Sequence, residues 1–465
     1  MQRERQMQRE TRRRTLARVT TMFAATALVL AACGGQEATE DTAAPAETAT
    51  EETPDDGEAA AEAPAEDPGE DAEDIRPACD VTQGVTDDTI HITMLNDLSG
   101  PTAALGAPDI GEAFRAHFDA INADGGIDGR TVEVEILDHG YSPVDAAQRY
   151  EEVRTDTAMV ASVFGSPPLE AIAQDLVDDC LVSFQSGSSG QLAQAYETIF
   201  APTTTYGHEI LNILGWVIEE QEQTDASFAL AYQSDALGEA IRRAAEFGAE
   251  HYGFEYVAEA SHGPQDSDLT AQLQTLLAED PDYVVYGGLP SQLAFLSAGA
   301  LAAGSDVQFI SATPGFVPAV LGTPAADAVQ ANVFISSPYS EWEGDAPGRV
   351  QMREEIETHA PDVAPGQGPV IGYSSAQVVA EVLRIASAND DLSLHGILQA
   401  SQQVSGFDAN GLFPELTYGQ YPDAPRVPSH ASRIWQPEAG PAQGMVPLTD
   451  YFESEASQLF TEPVL

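Results

Sequence analysis

The chain has 465 residues, and its 19 basic and 75 acidic residues give a formal net charge of −56 without a single lysine. Such a chain has no basic surface for phosphate groups, which excludes nucleic acid as a partner. The absence of lysine also excludes a P-loop, Schiff-base chemistry and a serine–lysine hydrolase. We interpret the dense acidic surface as an adaptation to high salt, where screening weakens the repulsion between like charges.

Residues 1–32 are predicted to be a signal peptide. Seven arginines precede an apolar stretch at 22–30, and small residues follow immediately before Cys33, a pattern typical of a lipobox. The apolar stretch is too short to span a bilayer. We therefore expect lipidation of Cys33 and anchoring to the outer face of the cytoplasmic membrane. Residues 12–14 loosely resemble a twin-arginine signal, so the export route stays open between the two pathways.

Residues 33–80 are predicted to be the lipidated cysteine and an acidic tether. Between 36 and 75 the chain is almost entirely Ala, Glu, Asp, Thr, Pro and Gly, with no aromatic residue. Such a composition cannot bury enough apolar surface to fold, and its like charges keep the chain extended. The tether is expected to hold the folded part away from the membrane.

Two cysteines, Cys79 and Cys180, remain once Cys33 is assigned to the lipid. An even number in an oxidising compartment predicts a disulfide, which would close a loop of about 100 residues and contribute roughly 4 to 5 kcal/mol in the chain-entropy model. Two free buried thiols are the alternative. The sequence has no CxxC pair and no HExxH element, so neither a metal nor a cofactor is expected.

Short β-rich runs then alternate with helix-length amphipathic segments, which predicts an α/β fold with parallel strands. One helix is predicted to start after a cap at Ser267 or Asp268, with a single buried stripe formed by Leu269, Leu273, Leu276 and Leu277. The predicted strands are 90–95, 131–137, 159–164, 181–185, 228–232, 283–286, 307–311 and 333–336.

These elements form two sets of similar size on either side of residues 202–206, which we interpret as a hinge. The predicted lobe 1 consists of residues 81–205 and a returning part, 337–417. The predicted lobe 2 consists of residues 206–336, and residues 418–465 complete it and form the C-terminal tail. Ligands of open α/β sheets lie beyond the carboxyl ends of the strands, so a binding cleft is expected between the lobes.

Two loops of small polar residues follow predicted strands and precede predicted helices in lobe 1. The first contains Gly165 and Ser166, and the second contains Ser186 and Ser188. Backbone N–H groups and hydroxyls at helix N-termini can hold a carboxylate without a basic side chain. Ordinary turns and caps would use the same residues, and both interpretations stay open from the sequence.

Several motifs resemble those of the type I periplasmic binding proteins, in particular the branched-chain amino acid (Leu/Ile/Val-binding) family of ABC transporters. They are LNDLSGP at 95–101, INADGGIDGR at 121–130 and DYVVYGG at 282–288. The resemblance implies two Rossmann-like lobes joined by a three-segment hinge, which closes around a ligand in the cleft. It also implies delivery of that ligand to an ABC permease in the membrane.

The resemblance assigns Gly165, Ser166, Ser186 and Ser188 to the ligand's carboxylate and ammonium groups. The remaining positions depart from the family's pattern. Leucines stand where the amino-acid binders carry tyrosines, and a threonine stands where their acidic residue neutralises the ammonium: Leu105, Leu237, Leu289 and Thr313.

Tyr206 at the hinge and Tyr373, which we expect to open a helix of the returning segment, are further candidates for the cleft. An ammonium enclosed without a carboxylate would be a poorly compensated buried charge. The sequence therefore favours an amide, a urea-like compound or a hydrophobic acid over a branched-chain amino acid.

The sequence thus predicts a lipid-anchored solute-binding protein of an ABC importer that is not an enzyme. Two alternatives stay open: a ligand-sensing lipoprotein for a signalling partner, and a secreted serine hydrolase. The hydrolase would need a histidine close to Ser166 or Ser188, and no motif places one there.

Overall fold

The computed structural model describes residues 79–186, 189–421 and 427–462, so Cys33, the acidic tether up to residue 78 and Ser188 lie outside the described residues. The strands are β1 Thr89–Asn96, β2 Thr131–Asp138, β3 Val160–Val163, β4 Ser183–Gln185, β5 Ile199–Phe200, β6 Phe228–Gln233, β7 Glu259–His262, β8 Tyr283–Gly287, β9 Gln308–Ala312, β10 Val333–Ser337, β11 Arg433–Pro437 and β12 Met445–Pro447. The helices are α1 Ala107–Ala123, α2 Pro143–Val153, α3 Ser166–Asp178, α4 Gly190–Ala195, α5 Tyr206–Gly215, α6 Ala236–Tyr252, α7 Thr270–Leu277, α8 Pro290–Ala302, α9 Ala326–Asn332, α10 Pro347–His359, α11 Gln367–Ala388, α12 Leu394–Ser401 and α13 Glu455–Leu459.

The first sheet has the strand order β2-β1-β3-β4-β5, and all of its strands are parallel. Both faces are covered. Ile92 and Met94 of β1 pack into the hydrophobic cluster that includes residues of α1 and α11, whereas Leu95 packs into the cluster on the opposite face. The central strand β3 has all four residues buried, whereas β2 at the sheet edge alternates apolar and polar residues and buries only Val132.

The INADGGIDGR motif connects α1 to β2. The side chain of Asn122 donates to the Val132 carbonyl and accepts from the Val132 N–H, each over 2.8 Å. Gly126 has φ +79°, and a Cβ there would lie 2.0 Å from the Arg130 carbonyl oxygen. Only glycine fits such a turn, so this part of the motif shapes the connection into the sheet.

The second sheet has the order β12-β11-β10-β9-β8-β6-β7, in which β10 pairs antiparallel with β11 and β11 with β12, and the other pairs are parallel. Phe309 of β9 faces one hydrophobic cluster and Ile310 faces the other. Helices α5 and α6 cover the second of these faces. The chain passes between the two sheets after β5, after β10 and before β11, in agreement with the predicted mixed α/β, two-lobed fold.

The predicted disulfide between Cys79 and Cys180 is confirmed, with their Cα atoms 5.5 Å apart. Both cysteines lie in the hydrophobic cluster that packs on α3 and β3 of lobe 1. The bridge therefore ties the start of the described chain to the loop between α3 and β4.

Several sequence predictions need correction. The pattern of short apolar runs did not predict β5, β7, β11 and β12. The leucine stripe of α7 is incomplete, because Leu269 and Leu276 are fully buried whereas Leu273 and Leu277 are only partly buried. Tyr373 does not open a helix, since α11 begins six residues earlier, at Gln367.

Among the described residues, the helices are all too short or too polar to cross a membrane. Within the same ranges, no group of three or more His, Cys, Asp or Glu side chains could hold a metal ion.

Candidate functional site between the lobes

An aromatic and aliphatic cluster joins the two lobes. Tyr141, from the loop after β2, is 7% exposed and packs in the same hydrophobic cluster as three residues that the sequence assigned to the cleft, namely Tyr206, Leu237 and Leu289. Phe164, which follows β3, packs against this cluster and lies edge-on to Tyr141. The structure thus brings together side chains from the carboxyl ends of strands in both lobes.

Tyr141 explains why residue 165 is a glycine. Gly165 has φ +91°, and a Cβ there would lie 2.6 Å from Cε2 of the Tyr141 ring. Tyr141 itself has φ +59°, a conformation that is rare for a bulky side chain and is concentrated at functional sites. Its hydroxyl interacts with the Gln233 side chain of lobe 2, and burial raises its pKa well above the ordinary value. The tyrosine is thus a neutral hydrogen-bonding group at the interlobe surface.

The predicted serines differ in their surroundings. Ser166, the first residue of α3, is 3% exposed, and its Oγ has no hydrogen-bond partner among the described residues. The Ser186 hydroxyl instead forms a short hydrogen bond with the Ser162 hydroxyl inside lobe 1. Ser166 is therefore the better placed of the two to offer an unused hydroxyl beside a helix N-terminus.

The lobes also meet through polar contacts at the start of α6. Gln191 Nε2 of α4 donates to the Ala236 carbonyl over 3.3 Å. Asp235 caps α6 by accepting from the N–H groups of the first helical residues. Burial raises its pKa, and burial together with the negative charge of Asp235 raises the pKa of Glu170 on α3. A carboxyl group of lobe 2 therefore acts on the pKa of a carboxyl group of lobe 1 at this edge of the interface.

A buried carboxyl group, Glu209, lies in the first turn of α5 and reaches the residue that follows β9. Its Oε2 accepts from the N–H of Thr313 over 2.6 Å, and the Thr313 hydroxyl donates to Ser337 over 2.9 Å. Glu209 is 1% exposed. Burial raises its pKa well above the ordinary value, while the hydrogen bonds from Thr313 oppose the shift only in part.

The sequence also assigned Leu105 and Tyr373 to the cleft, and the structure places them on two different elements of the chain. Leu105 ends a short 3-10 turn, Ala103–Leu105, which contacts the 3-10 turn Pro318–Gly322 of the other lobe. Tyr373 lies away from the interlobe cluster, because its hydroxyl donates to Glu355 of α10 and its ring lies edge-on to His117 of α1.

An open groove of about 480 Å³ lies between α1, α10 and the end of α11. Its lining includes His117, Glu355 and Arg384 but none of the residues that the sequence assigned to ligand binding. All of its lining residues belong to lobe 1. Closure of the two lobes would therefore not enclose a ligand in this groove. We therefore place the candidate site at the interlobe cluster.

Tyr141, Phe164 and Glu209 were not among the residues that the sequence assigned to the site. A signal for Glu209 was present, since it is the only carboxylate in the sequence YGHEILNILG at 206–215, which the structure buries entirely. Tyr141 gave no such signal, because its position depends on a left-handed backbone conformation. The fold and this contact surface define a two-lobed α/β protein with residues of both lobes gathered at the carboxyl ends of their strands.

Comparison with known proteins identifies the family. The family model described as periplasmic binding protein matches residues 89–440, and the chain belongs to this family. Membership implies solute binding and an extracytoplasmic location. A search of curated proteins finds no match.

Solved structures with the same fold include transport proteins of several kinds. A fatty acid ABC transporter substrate-binding protein from Thermomonospora curvata is 26% identical, with a TM-score of 0.76 over 82% of this chain and 97% of that protein. A branched chain amino acid ABC transporter from Thermus thermophilus with bound valine is 18% identical, with a TM-score of 0.70 over 81% and 99%. A possible leucine/isoleucine/valine-binding protein from Rhodopirellula baltica is also 18% identical, with a TM-score of 0.68 over 81% and 98%.

Proposed function

We propose that this protein is the extracytoplasmic solute-binding lipoprotein of an ABC importer and that it takes up a small organic solute between its lobes. The observation that carries the proposal is the cluster of Tyr141, Tyr206, Leu237 and Leu289, which joins both lobes and the hinge in one buried contact. Opening of the lobes would expose these side chains. Closure of the lobes around a solute would bury the side chains together with the solute. The permease would then recognise the closed shape.

The ligand class that we propose is that of an apolar small molecule with a neutral or acidic polar group. Leu237 and Leu289 are 2% and 6% exposed and offer apolar walls. The unpaired Ser166 hydroxyl and the start of α3 offer donors. An amide, a urea-like compound and a hydrophobic carboxylate all fit such a site, and the similar protein from Thermomonospora curvata is described as a fatty acid binder.

We also propose that the protein is not an enzyme, because the family to which it belongs binds solutes. The serine hydrolase alternative would need a general base hydrogen-bonded to Ser166 or Ser188. Ser166 has no hydrogen-bond partner among the described residues, and Ser188 lies outside them. Hydrolysis of an ester or amide by the purified protein would overturn this part of the proposal.

A thermal-shift and calorimetric screen tests the binding function. We expect octanoate or 4-methylpentanoate to stabilise the protein, by about 2.7 kcal/mol at a concentration a hundred times the dissociation constant. Leu289→Asp should abolish the shift, because it buries a charge in the closed cluster. Leu301→Asp is the matched control, since Leu301 is 47% exposed on α8. Equal responses of the two variants would contradict an interlobe site.

Lipid anchoring at Cys33 and adaptation to salt complete the proposal. We expect the intact protein to incorporate a labelled fatty acid and to lose both the label and membrane attachment in Cys33→Ser. We also expect the melting temperature to rise steeply between low and molar salt, since the net charge of −56 is screened. A wild-type protein that does not attach to membranes would contradict lipid anchoring. A melting temperature that salt does not change would contradict the adaptation to salt.

A further inference from the structure

The buried carboxyl group of Glu209 differs from ordinary buried acids, because no cationic side chain within the described ranges contributes to its pKa. The hydrogen bond that its Oε2 accepts comes from the backbone N–H of Thr313, over 2.6 Å. Burial raises the pKa of Glu209 well above its ordinary value, and burial without a cationic partner favours the protonated form of a carboxyl group. The protonated form has an O–H donor.

The position of Glu209 is at the interlobe surface. It lies on the same face of α5 as Tyr206, one turn away, and Tyr206 belongs to the cluster that joins the lobes. Burial raises the pKa of Tyr339, in the second crossing between the lobes, and the nearby charges of Tyr206 and Glu209 add to the shift. The residue that it contacts, Thr313, follows the carboxyl end of β9. The Glu209 carboxyl group therefore lies close to the end of β9, to the hinge residue Tyr206 and to Tyr339 in the second crossing between the lobes.

The protonated form of Glu209 favours binding of a solute carboxylate over binding of a solute ammonium. A solute carboxylate can accept a hydrogen bond from the protonated oxygen of Glu209. Hydrogen bonds to an ionised acceptor are among the stronger hydrogen bonds in proteins. An ammonium would instead have to force Glu209 to ionise and would bury a new ion pair, whose desolvation cost offsets its attraction. The unpaired Ser166 hydroxyl and the apolar leucines of the interlobe cluster suit an acid with a hydrocarbon tail.

We propose that Glu209, which lies one turn from Tyr206 and contacts Thr313, is a specificity-determining residue that donates a hydrogen bond to the carboxylate of an apolar solute and disfavours solutes whose polar group is an ammonium. This inference rests on the proposed solute-binding function and narrows its ligand class to hydrophobic carboxylates. Glu209 thus supplies a carboxyl group next to position 313, where the amino-acid binders carry their acidic residue. In our proposal this carboxyl group favours a carboxylate over an ammonium.

Four probes with one hydrocarbon skeleton test the inference: 4-methylpentanoate, 4-methylpentanamide, 3-methylbutylamine and leucine. Calorimetric titration of the detergent-solubilised full chain at pH 7 should give an affinity for 4-methylpentanoate at least about tenfold higher than for the amine or leucine. Stronger binding of either ammonium compound would overturn the inference and leave the proposed function standing. Failure of all four probes and of octanoate would overturn both.

Two substitutions separate hydrogen bonding from charge. Glu209→Gln keeps an N–H donor and an acceptor for Thr313, so affinity for 4-methylpentanoate should stay within about threefold. Glu209→Leu removes the donor and should lower that affinity by about tenfold or more. Glu355→Gln, at a partly buried acid away from the interlobe cluster, is the matched control and should leave binding unchanged. The inference fails if Glu209→Gln loses more than about tenfold, or if folded Glu209→Leu binds as the wild type does.

Discussion

Two inward-facing carboxyl groups, one in each lobe, differ in the donors that surround them. Glu355 of lobe 1 accepts from Gln351 over 2.8 Å and from the Tyr373 hydroxyl over 2.8 Å, and it lies 2.7 Å from Nδ1 of His117. Burial opposes ionisation, but these hydrogen bonds and the nearby histidine lower the pKa of Glu355 below its ordinary value. Glu209 of lobe 2 has the Thr313 N–H instead, and its pKa is raised.

The two groups differ in burial as well as in donors, since Glu209 is 1% exposed whereas the Glu355 side chain is 17% exposed. Deeper burial and fewer donors both favour the protonated form of Glu209. Burial also lowers the pKa of His117, and beside an ionised carboxylate Nδ1 of its ring acts as the donor. The Glu355 network thus stabilises lobe 1 as a fixed ionised group. The raised pKa of Glu209 favours its protonated form, which is the donor in our proposal.

A third carboxyl group is intermediate between these two. Glu462, 4% exposed, accepts a short hydrogen bond from the Thr205 hydroxyl at the hinge. Burial raises the pKa of Glu462 to about 7, and the bond from Thr205 limits the shift. One hydroxyl donor therefore only partly compensates for burial, so this group titrates near neutral pH.

Glu355→Leu should have the largest effect on stability, a loss of about 4 kcal/mol, because it leaves two buried donors, His117 and Tyr373, without their charged acceptor. Urea denaturation at pH 7 measures the change. Glu354→Leu is the control, since Glu354 is exposed on the same helix, and it should change the free energy of unfolding by less than about 0.5 kcal/mol. Similar losses in both variants would contradict the network.

Glu462→Gln should stabilise the protein by about 3 kcal/mol at pH 9 and hardly at all near pH 4. Because the folded pKa is raised, the favourable contribution of Glu462 is complete below about 4.5 and is lost as the pH rises through about 7. Denaturation of wild type and variant across this range measures the difference. The exposed Glu455 of α13 provides the control substitution Glu455→Gln, and a constant difference for Glu462→Gln would refute the assignment.

Tyr373→Phe should cost about 1.5 kcal/mol at pH 7, because it removes one donor to an ionised carboxylate. The pKa of Glu355 is lowered in the folded state, so its contribution is present above about 4.5 and is lost as the pH falls through the folded pKa. The cost of the substitution should shrink over the same acidic range. In a Glu355→Leu background the substitution should add little, and an undiminished cost there would disprove the coupling.

Glu209→Gln should have the smallest effect at pH 5, below about 1 kcal/mol, because glutamine still accepts from Thr313. The folded pKa of Glu209 is raised, so the wild type loses stability relative to the variant as the pH rises above about 4.5. Denaturation at pH 5 and pH 8 measures this divergence. A variant that becomes relatively less stable at pH 8 would show that Glu209 is ionised in the folded protein.

Local sequence patterns were sufficient for much of the fold. Eight predicted strands agree with the structure to within two residues, because most of them are buried apolar runs and β2 alternates apolar with polar residues in TVEVEILD. The four missed strands lack this pattern. For example, β7 has the polar sequence EASH at 259–262, with mixed burial, and β11 and β12 are an antiparallel pair at the sheet edge.

The sequence by itself determined the family, the two-lobed α/β architecture and the disulfide between Cys79 and Cys180, because each depends on local periodicity, composition or a compact motif. Only the tertiary structure decided which polar groups meet inside a lobe and between the lobes. Glu209 and Thr313, both in lobe 2, are 104 residues apart in the chain, yet they form one hydrogen bond. Such a contact, and the charge that it permits, depends on how helices pack on sheets, which residue spacing does not encode.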